Sequence, residues 1–242
     1  MELLLLSNSR THGRPFLEHA AEEVRAFLPG GKPLVFVPYA LQDHGGYTAT
    51  VAEALRPLGI EVVGAHTAAD PLELVRDAAA VFVGGGNSFR LLSALERTGL
   101  REVIRERVHG GTLRYMGSSA GTNMACPTIR TTNDMPIVQP DSFEALGLVP
   151  FQINPHFLDV QPGSTHMGET REQRITEFLE ENDVPVLGMR EGAWLRVSAR
   201  AARLGGTTGA RLFTRGTDPR EIGPDADLSY LLDAAPEFDA AP

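Results

Sequence analysis

Short apolar runs recur along the chain, at 3–6, 34–38, 61–65, 80–83, 112–116, 151–153 and 185–189, and amphipathic stretches separate them. Helical patterns fill 15–27, 49–58, 71–77, 89–98 and 100–108. Runs this brief read as strands, and their alternation with helices argues for βα units around a mostly parallel sheet with helices on both faces. Beyond Gly192, the segments 194–197, 202–204 and 211–213 are expected to be antiparallel strands that finish the sheet edge. The stretch 225–242 is acidic and rich in Ala and Pro, so its end is expected to fray. With 242 residues, the chain suits one α/β domain spanning 1–242, around a single sizeable core.

Charge and composition narrow the function. The net charge is −9, from 31 acidic and 22 basic residues, so a phosphate backbone would be repelled and no nucleic-acid partner is expected. No apolar run approaches the roughly 20 residues that span a bilayer, and no membrane partner is expected. Met1-Glu2-Leu3-Leu4-Leu5-Leu6 lacks the basic start of a secretory signal and reads as a buried first strand, which implies a cytoplasmic enzyme. Cys126 is the only cysteine, so no internal disulfide is expected, and Cys126-Pro127 reads as a buried structural thiol. Lys32 is the only lysine, which leaves few amines for Schiff-base chemistry. Nothing in the spacing of Cys and His suggests a zinc site, and no metal or organic cofactor is indicated. The assembly is left open between monomer and homodimer.

In sheets of this kind, ligands bind beyond the carboxyl ends of the strands, so residues just after each apolar run carry the most information. Gly117-Ser118-Ser119-Ala120-Gly121 follows one such run and is G-x-S-x-G in a strand–turn–helix setting. A serine on that tight turn needs small neighbours on both sides, and the next amide, Ala120, is aimed at a developing oxyanion. Ser119 is therefore the candidate nucleophile, with Ser118 facing away. Gly84-Gly85-Gly86-Asn87 runs from a strand into a helix, and the amide of Gly86 or Asn87 is the candidate second oxyanion donor. Neither G-x-x-x-x-G-K-[ST] nor G-x-G-x-x-G is present, which argues against a phosphate loop. His156, in Asn154-Pro155-His156-Phe157, follows another short strand and is the candidate base. Two carboxylates, Asp134 and Glu191, compete to orient it, and spacing does not choose between them.

These residues resemble peptidase E, the α-aspartyl dipeptidase family. The resemblance rests on Met1–Ser9, Gly84–Phe89, Ser119-Ala120-Gly121, Ala125–Ile137, Gln152–Phe157 and Gly168–Arg174. The run Cys126-Pro127-Thr128-Ile129-Arg130-Thr131-Thr132-Asn133-Asp134-Met135-Pro136 is its most specific part. It implies a class I glutamine amidotransferase-like fold with serine as nucleophile, Ser119 with base His156, and a small peptide substrate that begins with aspartate. It points to both Asp134 and Glu191, one to contact His156 and the other to shape the substrate pocket. Ser118 stands where some relatives carry a bulky residue, and the match is poor beyond Arg196. An aspartate pocket needs a cation. Thr170 and Gln173 fit a T-x-x-Q capping box, which puts Arg171 at the first position of a helix. Its guanidinium can grip a carboxylate bidentately. Two other readings differ in what they require. A cyanophycinase-like hydrolase would degrade an aspartyl–arginine polymer, and a non-catalytic binding module on the same fold would lack one reacting group.

Overall fold

A computed structural model describes residues 1–160, 163 and 167–240. In chain order the regular elements begin with β1 (Glu2–Leu6), α1 (Ala21–Phe27), β2 (Leu34–Val37), α2 (His44–Leu55), β3 (Val62–Gly64), α3 (Pro71–Asp77) and β4 (Ala80–Val83). They continue with α4 (Ser88–Thr98), α5 (Leu100–His109), β5 (Arg114–Ser118), α6 (Ala120–Met124), β6 (Gln152–Asn154) and α7 (Arg171–Glu181). The last five are β7 (Val186–Met189), β8 (Ala193–Ser198), β9 (Ala201–Gly206), β10 (Ala210–Phe213) and β11 (Arg220–Ile222).

The larger sheet has the order β3-β2-β4-β5-β1-β8-β9. Its first five strands are parallel, and β8 and β9 extend it antiparallel. Residues alternate between two cores along each strand. Leu3, Leu5, Val35, Val37, Val81 and Val83 pack into one apolar cluster with Leu91, Leu95 and Ile104 of α4 and α5. Leu4, Leu6, Leu34, Phe36 and Phe82 pack into the other with Val24, Phe27, Val51 and Leu55 of α1 and α2. Helices thus cover both faces, and this is why β1 reads as unbroken leucine rather than as an alternating pattern. All four leucines are fully buried. Each contributes up to about 1.5–3 kcal/mol of transfer free energy.

The expectation of one sheet is corrected. β6 and β7 do not join the main sheet. They form a second sheet of order β11-β10-β7-β6, in which only β6 and β7 run parallel. β10 therefore lies inside this second sheet, between β7 and β11, rather than at the edge of the first. Several boundaries also move. The run at 112–116 becomes a strand only from Arg114, in register with β1 and β4 through Leu6–Ser118 and Val83–Gly117. α2 begins well before 49 because the Asp43 side chain caps it, accepting from Gly46 N at 2.9 Å. That cap overrides the poor helix propensity of Gly45-Gly46. α1 begins later than 15 because Leu17 is left-handed (φ 61°) and a 3-10 turn, Glu18–Ala20, comes first.

The tail is also corrected, since through residue 240 it is docked. Asp183 and Glu237 exchange backbone hydrogen bonds of 2.8 and 3.0 Å. Arg130 donates to both oxygens of Asp239, at 2.7 and 3.0 Å, and lies over the Phe238 ring. Residues 241–242, the tip of the stretch expected to fray, lie outside the described residues. Among the described residues, no helix is long and apolar enough to cross a membrane.

Candidate active site

The carboxyl ends of β1, β4 and β5 lie side by side, and each releases a loop into one cleft. The sharpest of these turns follows β5. Ser119 has φ 54° and ψ −112°, a conformation that costs on the order of 1–3 kcal/mol in a residue with a side chain. Its backbone offsets the strain by hydrogen bonding on both sides. Ser119 N donates to Leu6 O at 3.1 Å, and its carbonyl accepts from Thr122 N and Asn123 N at 2.8 and 3.0 Å. The flanking glycines are a steric necessity. A Cβ on Gly117 would come within 2.5 Å of Gly121 O, and one on Gly121 would collide with Val83 O. Ser118 is fully buried in β5.

The base arrives from β6 in the second sheet. His156 also has positive φ (54°), and its N–H donates to Ser7 Oγ at 2.9 Å. Ser7 Oγ in turn donates to Met189 O, at the end of β7. The hydroxyl just past β1 thus joins the base loop to the strand before Glu191. His156 Nδ1 lies 2.7 Å from Glu191 Oε1, and Nε2 lies 2.9 Å from Ser119 Oγ. A carboxylate only accepts, so Nδ1 carries the proton and Nε2 presents its lone pair to the serine O–H. The turn holding Glu191 is itself fixed. Gly192 N donates to Asn8 Oδ1, and Thr208 Oγ1 donates to Glu191 O, both at 2.8 Å. Ser7 and Asn8 were not singled out in the sequence, although they are the first polar residues after the first apolar run.

Of the two competing carboxylates, Glu191 reaches His156 and Asp134 does not. Asp134 Oδ2 accepts from Ser88 N at 2.7 Å, at the start of α4, and from Thr132 Oγ1 at 3.1 Å. It belongs to a brace. Asn133 Nδ2 donates to Pro155 O, beside the base, and Asn154 Nδ2 donates to Thr131 O and Asn133 Oδ1. The long specific run therefore ties the glycine loop to the histidine loop. The brace also rests on a thiol. Cys126 Sγ accepts from Ile153 N, and burial pushes its pKa up to about 12, so it is no nucleophile.

Among the three expected oxyanion donors, Ala120 N and Gly86 N have no acceptor among the described residues. Asn87 does not serve. Its N–H donates to Ala40 O at 3.0 Å, while its side chain caps α4 and donates to Met135 O. Gly85 N is occupied as well, by the Tyr47 hydroxyl at 2.8 Å. The glycine loop packs directly on the nucleophile, since a Cβ on Gly85 would lie 3.0 Å from that of Ser119. Gly86 adopts φ 136°, which an L side chain rarely tolerates.

Arg171 opens α7 behind the expected capping box, with both reciprocal hydrogen bonds formed. It is part-buried and makes no ion pair among the described residues. Burial, then Arg174, lowers its pKa, and Asp134 opposes them. A cation held so is primed to take up an anion. Ser119, His156, Gly85 and Gly86 share a cleft of about 790 Å³ with Ser9, Arg10 and Tyr47. Among the described residues, no group of three or more His, Cys, Asp or Glu side chains is gathered as metal ligands would be. The arrangement can carry out acyl transfer, with an activated hydroxyl, an oriented imidazole and two free amides.

The sequence pattern of peptidase family S51 matches residues 3–205. The chain is 67% identical over 239 residues to a Streptomyces coelicolor protein named peptidase E, covering 99% of this chain and 98% of that one. It is 51% identical over 232 residues to a Drosophila melanogaster protein named "Probable alpha-aspartyl dipeptidase", covering 95% and 97%. The solved structure of a peptidase from an acI-B1 actinobacterium shares the fold at 18% identity, with a TM-score of 0.65 over 94% of this chain and 96% of that one.

Proposed function

Because the chain belongs to peptidase family S51, we propose that it is a serine dipeptidase that hydrolyses Asp-Xaa through an acyl-enzyme. The observation that carries the reading is the imidazole of His156, which bridges Ser119 Oγ and Glu191 at 2.9 and 2.7 Å. Ser119 attacks the peptide carbonyl as His156 Nε2 takes its proton. The charge that develops on the carbonyl oxygen is met by the Gly86 and Ala120 amides. Glu191 stabilises the imidazolium and holds its tautomer. His156 then protonates the departing amine, and water enters by the same route to release aspartate.

Arg171 binds the aspartate side chain in this scheme. Its support is a part-buried guanidinium without an ion-pair partner among the described residues. Asp134 acts indirectly, by fixing the start of α4 and with it the glycine loop. The assignment extends to a cytoplasmic location and to a small peptide as the only substrate class. The lone free thiol fits a compartment in which disulfides are not used.

The test is turnover of Asp-Leu against Leu-Leu by wild-type protein and by Ser119→Ala. The expected result is selective cleavage of Asp-Leu that disappears in the variant. Equal rates on the two peptides would remove the aspartyl preference, and a fully active variant would remove the nucleophile.

A further inference from the structure

An Asp-Xaa dipeptide carries two carboxylates, one on each side of the bond that breaks, and Arg171 answers only the first. A second guanidinium lines the cleft beside the nucleophile. Arg10 follows β1 and shares that cleft with Ser119, His156 and Gly86. Its guanidinium lies 5.6 Å from the centre of the Phe16 ring, which lines the cleft as well. Its backbone is fixed to the catalytic turn, because Asn8 donates Nδ2 to Arg10 O and accepts Gly192 N through Oδ1. Arg10 forms no ion pair among the described residues. The carboxylate on the same cleft, Asp43, is engaged by Gly46 N.

We propose that Arg10 binds the terminal carboxylate of the leaving residue and thereby selects dipeptides over longer peptides. The inference rests on the dipeptidase reading and adds a subsite to it. The two cations have separate surroundings. The charge of Arg10 acts on Tyr47, under the glycine loop, whereas Arg171 is influenced by Arg174 and Asp134. Size alone does not impose the limit, since a cleft of about 790 Å³ is roomy for two residues. Charge does. Each added residue moves the terminal carboxylate about 3.3–3.6 Å further along the chain. It leaves in its place a neutral amide, which a guanidinium cannot pair with in the same bidentate way.

The experiment compares kcat/KM for Asp-Leu and for Asp-Leu amide, using wild type, Arg10→Gln and Arg10→Lys. Wild type should prefer the free acid by about tenfold or more, the worth of one charge-assisted hydrogen bond. Arg10→Gln should erase most of that preference, chiefly through KM, and Arg10→Lys should restore part of it. Added salt should erode the wild-type preference, because the cleft is open to solvent. An unchanged preference in Arg10→Gln overturns the assignment of Arg10 and leaves the dipeptidase reading intact. A wild-type protein that cleaves neither peptide overturns both.

Discussion

Replacing Glu191 with Gln removes a charge and changes little else, which makes it the sharpest probe of the site. The carboxylate lies 2.7 Å from His156 Nδ1, and both side chains are partly open to water, at 49% and 38% exposure. The interaction is therefore weaker than in a buried triad. Two unit charges about 4 Å apart interact by about 1 kcal/mol in water and about 4 kcal/mol at the effective dielectric of a protein surface. A loss of about 2–4 kcal/mol in stabilising the imidazolium corresponds to a fall of roughly 30- to 1000-fold in kcat. KM should move little, because Glu191 faces the base and not the substrate. The assay is leucine release from Asp-Leu at saturating and limiting substrate, with Asp134→Asn run beside it. Asp134→Asn should keep kcat within a few-fold and instead lose about 1 kcal/mol of stability, the worth of a helix cap, seen as a lower Tm. A Glu191→Gln enzyme with near-normal kcat, alongside an Asp134→Asn enzyme crippled at unchanged Tm, would reverse the two assignments.

Three further outcomes follow from the geometry. Arg171→Met should cut the preference for Asp-Leu over Asn-Leu by about 2–5 kcal/mol, read as the ratio of kcat/KM values. Gly121→Ala places a methyl group against Val83 O and should destabilise the fold by more than about 1–3 kcal/mol, visible as a lower denaturant midpoint or as insoluble protein. With its pKa pushed up to about 12, Cys126 stays a thiol at pH 8.5 and should resist thiol-directed reagents until denaturant exposes it; rapid labelling of native protein would contradict its burial.

The parts of the site legible in the sequence are those fixed by local sterics. Gly117 and Gly121 flank Ser119 because the turn admits no Cβ on either, so the nucleophile could be read from five residues. Thr170 and Gln173 satisfy each other across one turn, so the start of α7 was equally plain. What could not be read depends on contacts distant in sequence. Asp134 lies in a polar loop and Glu191 just past a strand, and only the packing of the second sheet decides which of them meets His156. That sheet was itself hidden, since a run such as 185–189 does not announce its neighbours. The oxyanion loop offered two amides, and the carbonyl of Ala40, far upstream, removes one of them. The docked tail escaped notice because its hold depends on Arg130, more than a hundred residues earlier.

Ser7 holds the amide of residue 156 and the carbonyl of residue 189, across sequence separations of 149 and 182. On the ribosome, the hydroxyl of Ser119 is synthesised well before the imidazole it needs, and the clasp that seats that imidazole closes onto the end of β1, made long before either. A nascent chain therefore lacks its assembled site until residues 156 and 189 have been translated and have folded back onto Ser7. Contacts of such span also slow folding. Refolding should accordingly restore activity all at once, with no fragment short of Glu191 able to cut a peptide.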